Sequence, residues 1–130
     1  MYLLDTNICV FYLRNKYGIK DKIKQIGVER CCLSEIVVAE LLYGAYFGEN
    51  AEAVQVVKDF IKWFTILSIS DAIEEYSLQK AILRHKGLLI DDMDLLIGAT
   101  AIVNGCILVT DNSKHFNRLE RIKLINWVER

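Results

Sequence analysis

Three aspartates crowd the junction between an apolar run and an apolar helix in the carboxyl-terminal half of the chain. Asp91, Asp92 and Asp94 follow the apolar residues 88–90 and precede the small and branched residues 95–101. A helix that is apolar on every side is expected to be buried. Its acidic end should therefore open into the interior or into a cleft, where neighbouring carboxylates repel one another unless a cation lies among them.

Three further acidic residues are placed where they can reach the same cleft. Asp5 directly follows the apolar amino-terminal segment, and Asp111 follows a second short apolar run. Glu40 is the only charge in an otherwise apolar helical stretch, residues 36–48. An unpaired buried carboxylate costs several kcal/mol, so Glu40 is expected either to face solvent or to point into the cleft.

Each of the aspartates also has a purely structural explanation. Asp5 can cap the helix that follows it. Asp91 and Asp94 have the spacing of a capping arrangement, and Asp111 suits a turn in which its side chain bonds the local backbone. These alternatives stand beside the functional interpretation at this stage.

Carboxylates that meet beside a sheet are the ligands of a hard divalent cation. Mg²⁺ takes oxygen ligands, usually one or two carboxylates together with water and phosphate oxygens, whereas softer metals favour nitrogen and sulfur. Cys9 and His115 lie near the acidic segments but belong to no paired ligand motif. A carboxylate-held Mg²⁺ suits phosphodiester hydrolysis, because it activates water and polarises the phosphoryl group.

Composition sets the class of protein. The 130 residues, 53% apolar and 25% charged, predict one globular domain spanning residues 1–130. No apolar run reaches the roughly 18 residues of a membrane span, and no signal peptide is visible. The four cysteines are interpreted as reduced core residues of a cytoplasmic protein. Because the net charge is −1, a nucleic-acid partner has to be met by local basic patches.

Alternating strands and helices must position these side chains. Strands are predicted at residues 1–4, 30–33, 65–69, 106–109 and 122–126. Helices are predicted from residue 6 to about 14, then at 19–26, 34–47, 51–64, 70–86 and 92–104, with a helical turn at 113–119. This alternation favours a three-layer α/β/α domain with a parallel sheet. Ligands of such sheets bind beyond the carboxyl ends of the strands, where the strand order reverses.

Four segments together resemble the PIN-domain ribonucleases, in particular the VapC toxins of toxin–antitoxin pairs. The segments are Leu3-Leu4-Asp5-Thr6-Asn7, residues 34–41 (SEIVVAEL) with Gly44, residues 94–101 (DLLIGATA), and residues 108–112 (LVTDN) leading to His115-Phe116. The closing residues 122–127 (IKLINW) also resemble the last strand of that family. Order and spacing agree over essentially the whole chain.

The resemblance implies a sheet in 3-2-1-4-5 order and an endoribonuclease dependent on Mg²⁺ or Mn²⁺. It also implies a homodimer that is inhibited by a cognate VapB-type antitoxin. Asp5 and Asp94 match the main metal ligands, and Glu40 matches the acid that holds water or acts as a base. Thr6, Asn7 and Thr110 match polar residues that support the site.

The fourth acid of the family pattern is displaced in this chain. Many members carry it two residues after the threonine, where this chain has Asn112, and Asp111 stands one residue earlier. Either Asp111 turns into the site as a fourth catalytic acid, or Asn112 serves as a neutral ligand or hydrogen-bond partner.

Three other functions are alternatives to the nuclease. A receiver domain needs an acidic pair after the first strand and an aspartate after the third, where this chain has Asp5 alone and Ser68-Ile69-Ser70. A haloacid-dehalogenase-type phosphatase needs D-x-D, and this chain has Asp5-Thr6-Asn7. A catalytically inactive PIN scaffold that only binds partners or RNA is the remaining alternative.

Single-stranded or looped RNA is the expected substrate, because proteins that read RNA sequence mostly read unpaired bases. Candidate phosphate contacts lie near the acidic segments: Arg14, Lys16, Lys114, His115 and Arg118. The aromatic residues of the two helices between the second and third strands are expected mainly in the core, with some able to line a groove for an antitoxin helix or a dimer seam. These residues are Tyr43, Tyr46, Phe47, Phe60, Trp63 and Phe64.

Overall fold

A five-stranded parallel sheet forms the centre of the protein, in a computed structural model that describes residues 1–130. Its strands are β1 (Tyr2–Leu4), β2 (Cys31–Ser34), β3 (Thr65–Leu67), β4 (Ile107–Val109) and β5 (Leu124–Ile125). They lie in the order β3-β2-β1-β4-β5, and every adjacent pair is parallel. The predicted 3-2-1-4-5 order is confirmed.

Seven helices connect the strands and cover both faces of the sheet. They are α1 (Thr6–Leu13), α2 (Ile19–Ile26), α3 (Glu35–Phe47), α4 (Ala51–Ile61), α5 (Ile73–Lys86), α6 (Asp92–Val103) and α7 (Ser113–Phe116). Short 3-10 helices precede β2 and α5, at Val28–Arg30 and Ser70–Ala72. The predicted three-layer α/β/α class is therefore confirmed. No helix combines the length and hydrophobicity that crossing a bilayer would require.

The core explains why the short strands are almost entirely apolar. Strands covered on both faces bury every side chain, and Leu3, Leu4, Leu108 and Val109 are fully buried. The hydrophobic core contains 25 buried residues contributed by both helical layers. All four cysteines are among them, which confirms that they are core residues.

The side chains that cap the helices follow the sequence signals. Ser34 caps α3 by accepting a hydrogen bond from the Val37 amide at 3.1 Å. Asp91 caps α6 by accepting one from the Met93 amide, also at 3.1 Å. Asp5 caps α1 through the Thr6 amide at 2.8 Å. The structural explanations of Asp5 and Asp91 are therefore correct, and for Asp5 a cap does not exclude a second role.

α6 is as buried as its composition predicts, with Leu95, Ile97 and the following residues 98–101 all inaccessible to solvent. Gly98 lies where α6 meets the segment after α7, and a Cβ at that position would collide with the side chain of Leu119. Phe116, the last residue of α7, packs beside the same glycine and is fully buried. This close contact fixes α7 against α6, one helical turn from Asp94.

Some boundaries and one burial prediction differ from the expectation. α4 ends at Ile61 rather than at residue 64, α5 begins at Ile73 after the 3-10 turn, and β5 spans only two residues. The expectation of core aromatics in α3 and α4 holds for Phe60 and Phe64 alone. Tyr43, Tyr46 and Phe47 are exposed, with Tyr43 and Phe47 at 70% and 77%, because the carboxyl-terminal half of α3 extends beyond the edge of the core. Trp63, which follows the end of α4, is exposed as well.

Candidate active site

Asp5 is buried at the carboxyl end of β1, where it is held from two sides. Its exposed fraction is 5%. One carboxylate oxygen accepts the capping bond from the Thr6 amide, and the other accepts a 2.8 Å bond from the Thr110 hydroxyl at the end of β4. Burial raises the pKa of Asp5 above its ordinary value of 3.8, and the two hydrogen bonds oppose that rise. Neighbouring parallel strands thus fix one carboxylate at the point where the strand order reverses.

Glu40 lies beside Asp5, on the second turn of α3. The Thr6 hydroxyl donates a 2.7 Å hydrogen bond to Glu40 Oε1, which links the start of α1 to the middle of α3. The Glu40 side chain is half-buried, and its negative charge contributes to raising the pKa of Asp5. Of the two orientations expected for Glu40, the structure shows the one that points towards Asp5.

Asp94 occupies the first turn of α6 and has no hydrogen-bond donor within the chain. Burial above all, together with the negative charges of Asp5, Asp91 and Glu40, raises the pKa of Asp94 to about 6. Among the neighbouring groups, His115 alone lowers the pKa of Asp94. Asp94 is thus a half-buried carboxylate surrounded by like charges and without a protein partner.

These three acids therefore lie close enough for their charges to act on one another. No three acidic, histidine or cysteine side chains are grouped tightly enough to form a ready-made metal cluster. Their donor atoms are all carboxylate oxygens, the kind that Mg²⁺ and Mn²⁺ prefer. Asp94 forms no hydrogen bond or ion pair that would explain it as a structural residue. The three carboxylates therefore suit a hard divalent cation as its ligands.

Asp111 does not join the other three acids. Arg130 binds both of its oxygens, at 3.0 and 2.7 Å, and the Asn126 amide donates a further 3.1 Å bond. These partners, Arg130 above all, hold the pKa of Asp111 below its usual value. Arg130 also lies over the Tyr17 ring, 5.1 Å from its centroid. Asp111 therefore joins the carboxyl-terminal segment to the loop after β4, instead of turning into the site as a fourth catalytic acid.

The supporting polar residues divide into those that contact the site and one that does not. Thr110 is fully buried, and its hydroxyl also accepts a 2.9 Å bond from the Asn112 amide. The Asn112 side chain lies 3.1 Å from His115 Nδ1. Asn7 is exposed and forms no side-chain hydrogen bond, so no contact in the structure supports the role expected for it.

The basic residues near the site are not equivalent. Arg14 lines a groove of about 550 Å³ between α1, α3 and α4, which also contains Thr6 and Glu40. Arg118 donates to the carbonyls of Leu88 and Leu89, so it holds the loop before α6. Lys16 and Lys114 are exposed, as is His115. Sequence reasoning missed Arg130 and Asn126, because no local motif marks residues that meet Asp111 from 19 and 15 positions away.

Thr6→Val is expected to reduce RNA cleavage about tenfold, because the Glu40 carboxylate then loses the hydrogen bond from the Thr6 hydroxyl that orients it. Valine keeps the shape of threonine and removes only the hydroxyl. Thr6→Ser is the matched control, since it retains the hydroxyl and should stay close to the wild-type rate. Initial cleavage rates of the three proteins make the comparison, and equal rates for wild type and Thr6→Val would show that this bond has no role in the reaction.

Asp111→Asn is expected to leave cleavage within about threefold of wild type, since its ion pair with Arg130 is partly exposed and such pairs contribute little. The same substitution at Asp5 removes a buried carboxylate of the site and should abolish cleavage. Initial cleavage rates of both variants, measured side by side, provide the test. Equal and severe losses would restore Asp111 to the catalytic group.

The comparisons with known proteins place this geometry in a family. The PIN domain family matches residues 2–122. The chain is 35% identical to Ribonuclease VapC2 of Haemophilus influenzae, covering 98% of each chain. It is 28% identical to the tRNA(fMet)-specific endonuclease VapC of Shigella flexneri, covering 97% of each.

A solved structure agrees with the sequence relatives. A chain in the crystal structure of VapBC2 from Rickettsia felis, bound to a DNA fragment from their promoter, superposes with a TM-score of 0.87 at 32% identity. The match covers 97% of this chain and 98% of that one. With its relatives matched from end to end, this chain belongs to the PIN domain family and, within it, to the VapC ribonucleases.

Proposed function

We propose that residues 1–130 act as a single PIN-like domain, a Mg²⁺- or Mn²⁺-dependent endoribonuclease that serves as the toxin of a type II toxin–antitoxin pair. The observation that carries the metal dependence is Asp94, whose carboxylate has no protein partner and whose pKa is raised to about 6 by burial and by neighbouring acids. Such a group gains most from a divalent cation, which neutralises it and its neighbours together.

In this mechanism Asp5, at the end of β1, and Asp94, at the start of α6, would hold the ion. When bound, the ion lowers the pKa of water and polarises the scissile phosphoryl group. Thr6 and Thr110 keep the carboxylates in place through the hydrogen bonds described above. Glu40 has one oxygen free of hydrogen bonds, and this oxygen would accept the proton of the attacking water. The bond between phosphorus and the leaving oxygen breaks as the water attacks, and the leaving oxygen takes up a proton from solvent.

The proposed substrate is RNA with unpaired nucleotides at the cleavage site, because such a strand can enter a cleft between helices. Two considerations support RNA over other phosphodiesters. The Haemophilus influenzae relative carries the name ribonuclease, and the Shigella flexneri relative is called a tRNA(fMet)-specific endonuclease. Arg14 lines the groove that contains Glu40, and Lys114 is an exposed basic residue next to His115 in the chain; both can meet the phosphates that flank the scissile bond.

The proposed partners are a VapB-type antitoxin and a second copy of this chain, with the pair acting in the cytoplasm. Similar chains have been solved as VapBC complexes, which supports the antitoxin. The groove between α1, α3 and α4 offers it an apolar surface, formed by Val10, Leu13 and Leu41, that leads to Glu40. Co-purification with the product of the neighbouring open reading frame tests the antitoxin, and light scattering tests the dimer.

The deciding experiment is cleavage of total RNA and of initiator tRNA by protein freed of metal with EDTA. We expect cleavage only after Mg²⁺ or Mn²⁺ is restored, and sequencing of the product ends then maps the cleaved positions. Cleavage that persists in EDTA would show that the carboxylates work without an ion. No cleavage under any condition, with RNA still bound, would favour the inactive PIN scaffold.

A further inference from the structure

His115 stands at the edge of the acidic site without any packing role. Its side chain is exposed, whereas the next residue, Phe116, is fully buried against α6. Phe116 therefore anchors α7, and His115 is carried to a position beside Asp94, close enough to influence that carboxylate. Phe116 contacts Gly98, which lies one helical turn from Asp94 on the same face of α6. Close packing therefore fixes the position of His115 relative to Asp94.

The orientation of the His115 ring is set by Asn112. The side-chain nitrogen of Asn112 lies 3.1 Å from His115 Nδ1, and an amide nitrogen can only donate. Nδ1 must then accept, which places the ring proton on Nε2. Asn112 is itself held by the bond from its backbone amide to Thr110, the residue that also binds Asp5. A short chain of hydrogen bonds thus runs from the acidic site to the imidazole.

Nε2 of His115 has no hydrogen-bond partner within the chain and belongs to an exposed ring. An N–H donor beside several carboxylates suits an anionic substrate, because it supplies attraction where the acids repel. Phosphate oxygens are the anionic acceptors that RNA brings to such a site. The other histidine, His85, is exposed in the last turn of α5 and acts on none of the acidic residues of the site.

We propose that His115 contacts the RNA substrate directly, with its Nε2–H donating to a non-bridging phosphate oxygen at or beside the scissile bond, and that Asn112 is the positioning residue for this ring. The inference rests on the proposed function. It also assigns a role to the position where the family pattern has an acid: here that position orients a donor for substrate.

His115→Ala is expected to lower kcat/KM for RNA cleavage by about tenfold to a hundredfold, the effect of losing one hydrogen bond to a charged group. Its thermal unfolding should match wild type, since the ring packs against nothing. His115→Gln, which keeps an N–H donor, should recover part of the loss. His85→Ala is the matched control and should behave as wild type.

Two further measurements separate this role from a merely structural one. In EDTA, where no cleavage occurs, fluorescence anisotropy with a short unstructured labelled RNA should show weaker binding by His115→Ala than by His85→Ala. Nitrogen-15 NMR should show the Nε2–H form of His115 in wild type and a mixture of forms in Asn112→Ala. Asn112→Ala alone should also have a lower kcat/KM than wild type. The double variant should have the same kcat/KM as His115→Ala alone.

The inference is overturned if His115→Ala cleaves and binds RNA as wild type does. It is also overturned if Asn112→Ala reduces kcat/KM by the same factor in the wild-type protein and in the His115→Ala variant. Failure of the proposed function looks different, because wild type itself would then cleave no RNA with Mg²⁺ or Mn²⁺. Even in that case the metal-free binding comparison between His115→Ala and His85→Ala decides whether His115 contacts RNA.

Discussion

Asp94→Asn is expected to lose metal-dependent cleavage, by on the order of a thousandfold, the upper end of what the loss of one electrostatic contact to a transition state costs. Asparagine keeps the shape of the side chain and removes the charge that would hold the cation. Because Asp94 has no donor to lose, the substitution should leave the fold intact. Initial rates with Mg²⁺ and with Mn²⁺ measure the effect, and circular dichroism confirms the fold.

The same variant should be more stable than wild type when metal is absent. Removing one of several repelling charges relieves the repulsion, so the melting temperature in EDTA should rise by a few degrees. Asp5→Asn is the companion variant: it should lose cleavage equally, but it alters the bonds to Thr6 and Thr110, so its stability gain should be smaller. Full activity in either variant would remove that residue from the metal site.

The metal-free protein is expected to become less stable as the pH rises from about 4 to about 6, by about 1–2 kcal/mol after allowance for solvent screening of a half-buried carboxylate. In the native state Asp94 keeps its proton up to about pH 6, whereas its ordinary pKa is 3.8. Between these values the native state binds more protons than the unfolded chain, so its stability falls as the pH rises. Asp5, whose pKa is also raised, contributes with the same sign.

Urea unfolding in EDTA across this pH range measures the effect, with Asp94→Asn as the control that should lose most of the slope. Addition of Mg²⁺ at neutral pH should restore stability, by about 2.7 kcal/mol when the ion is at one hundred times its dissociation constant. The raised pKa of Asp94 would be contradicted if the free energy of unfolding of wild type increased over this pH range instead of decreasing.

Much of the fold could be predicted because its signals are local. Ser34 before an apolar helix, Gly27 after an amphipathic one and short apolar runs between them identify elements without reference to the rest of the chain. The burial of α6 also follows from its own composition. The exposed aromatic residues of α3 were not foreseeable in the same way, since Tyr43 and Leu41 are both apolar and only the packing of α4 and the sheet decides which of them is covered.

The acidic site also combines features that are visible in the local sequence with contacts that depend on tertiary packing. Asp5, Glu40 and Asp94 were selected as acids at strand ends or in apolar helices, and those features are visible in the sequence. The bond from Thr6 to Glu40 spans 34 positions and depends on how α1 lies against α3. Asp111 looked equivalent to the other acids because its partner, Arg130, comes from a segment whose path after β5 no local pattern specifies.

The proposed activity requires above all that Asp5, Glu40 and Asp94 form one divalent-cation site. Titration of metal-free protein with Mn²⁺, followed by electron paramagnetic resonance, measures this directly and without reference to RNA. We predict saturable binding by wild type, and binding that is greatly weakened in Asp5→Asn and Asp94→Asn but retained in Asp111→Asn. Equal binding by wild type and by the Asp5 and Asp94 variants would contradict the claim.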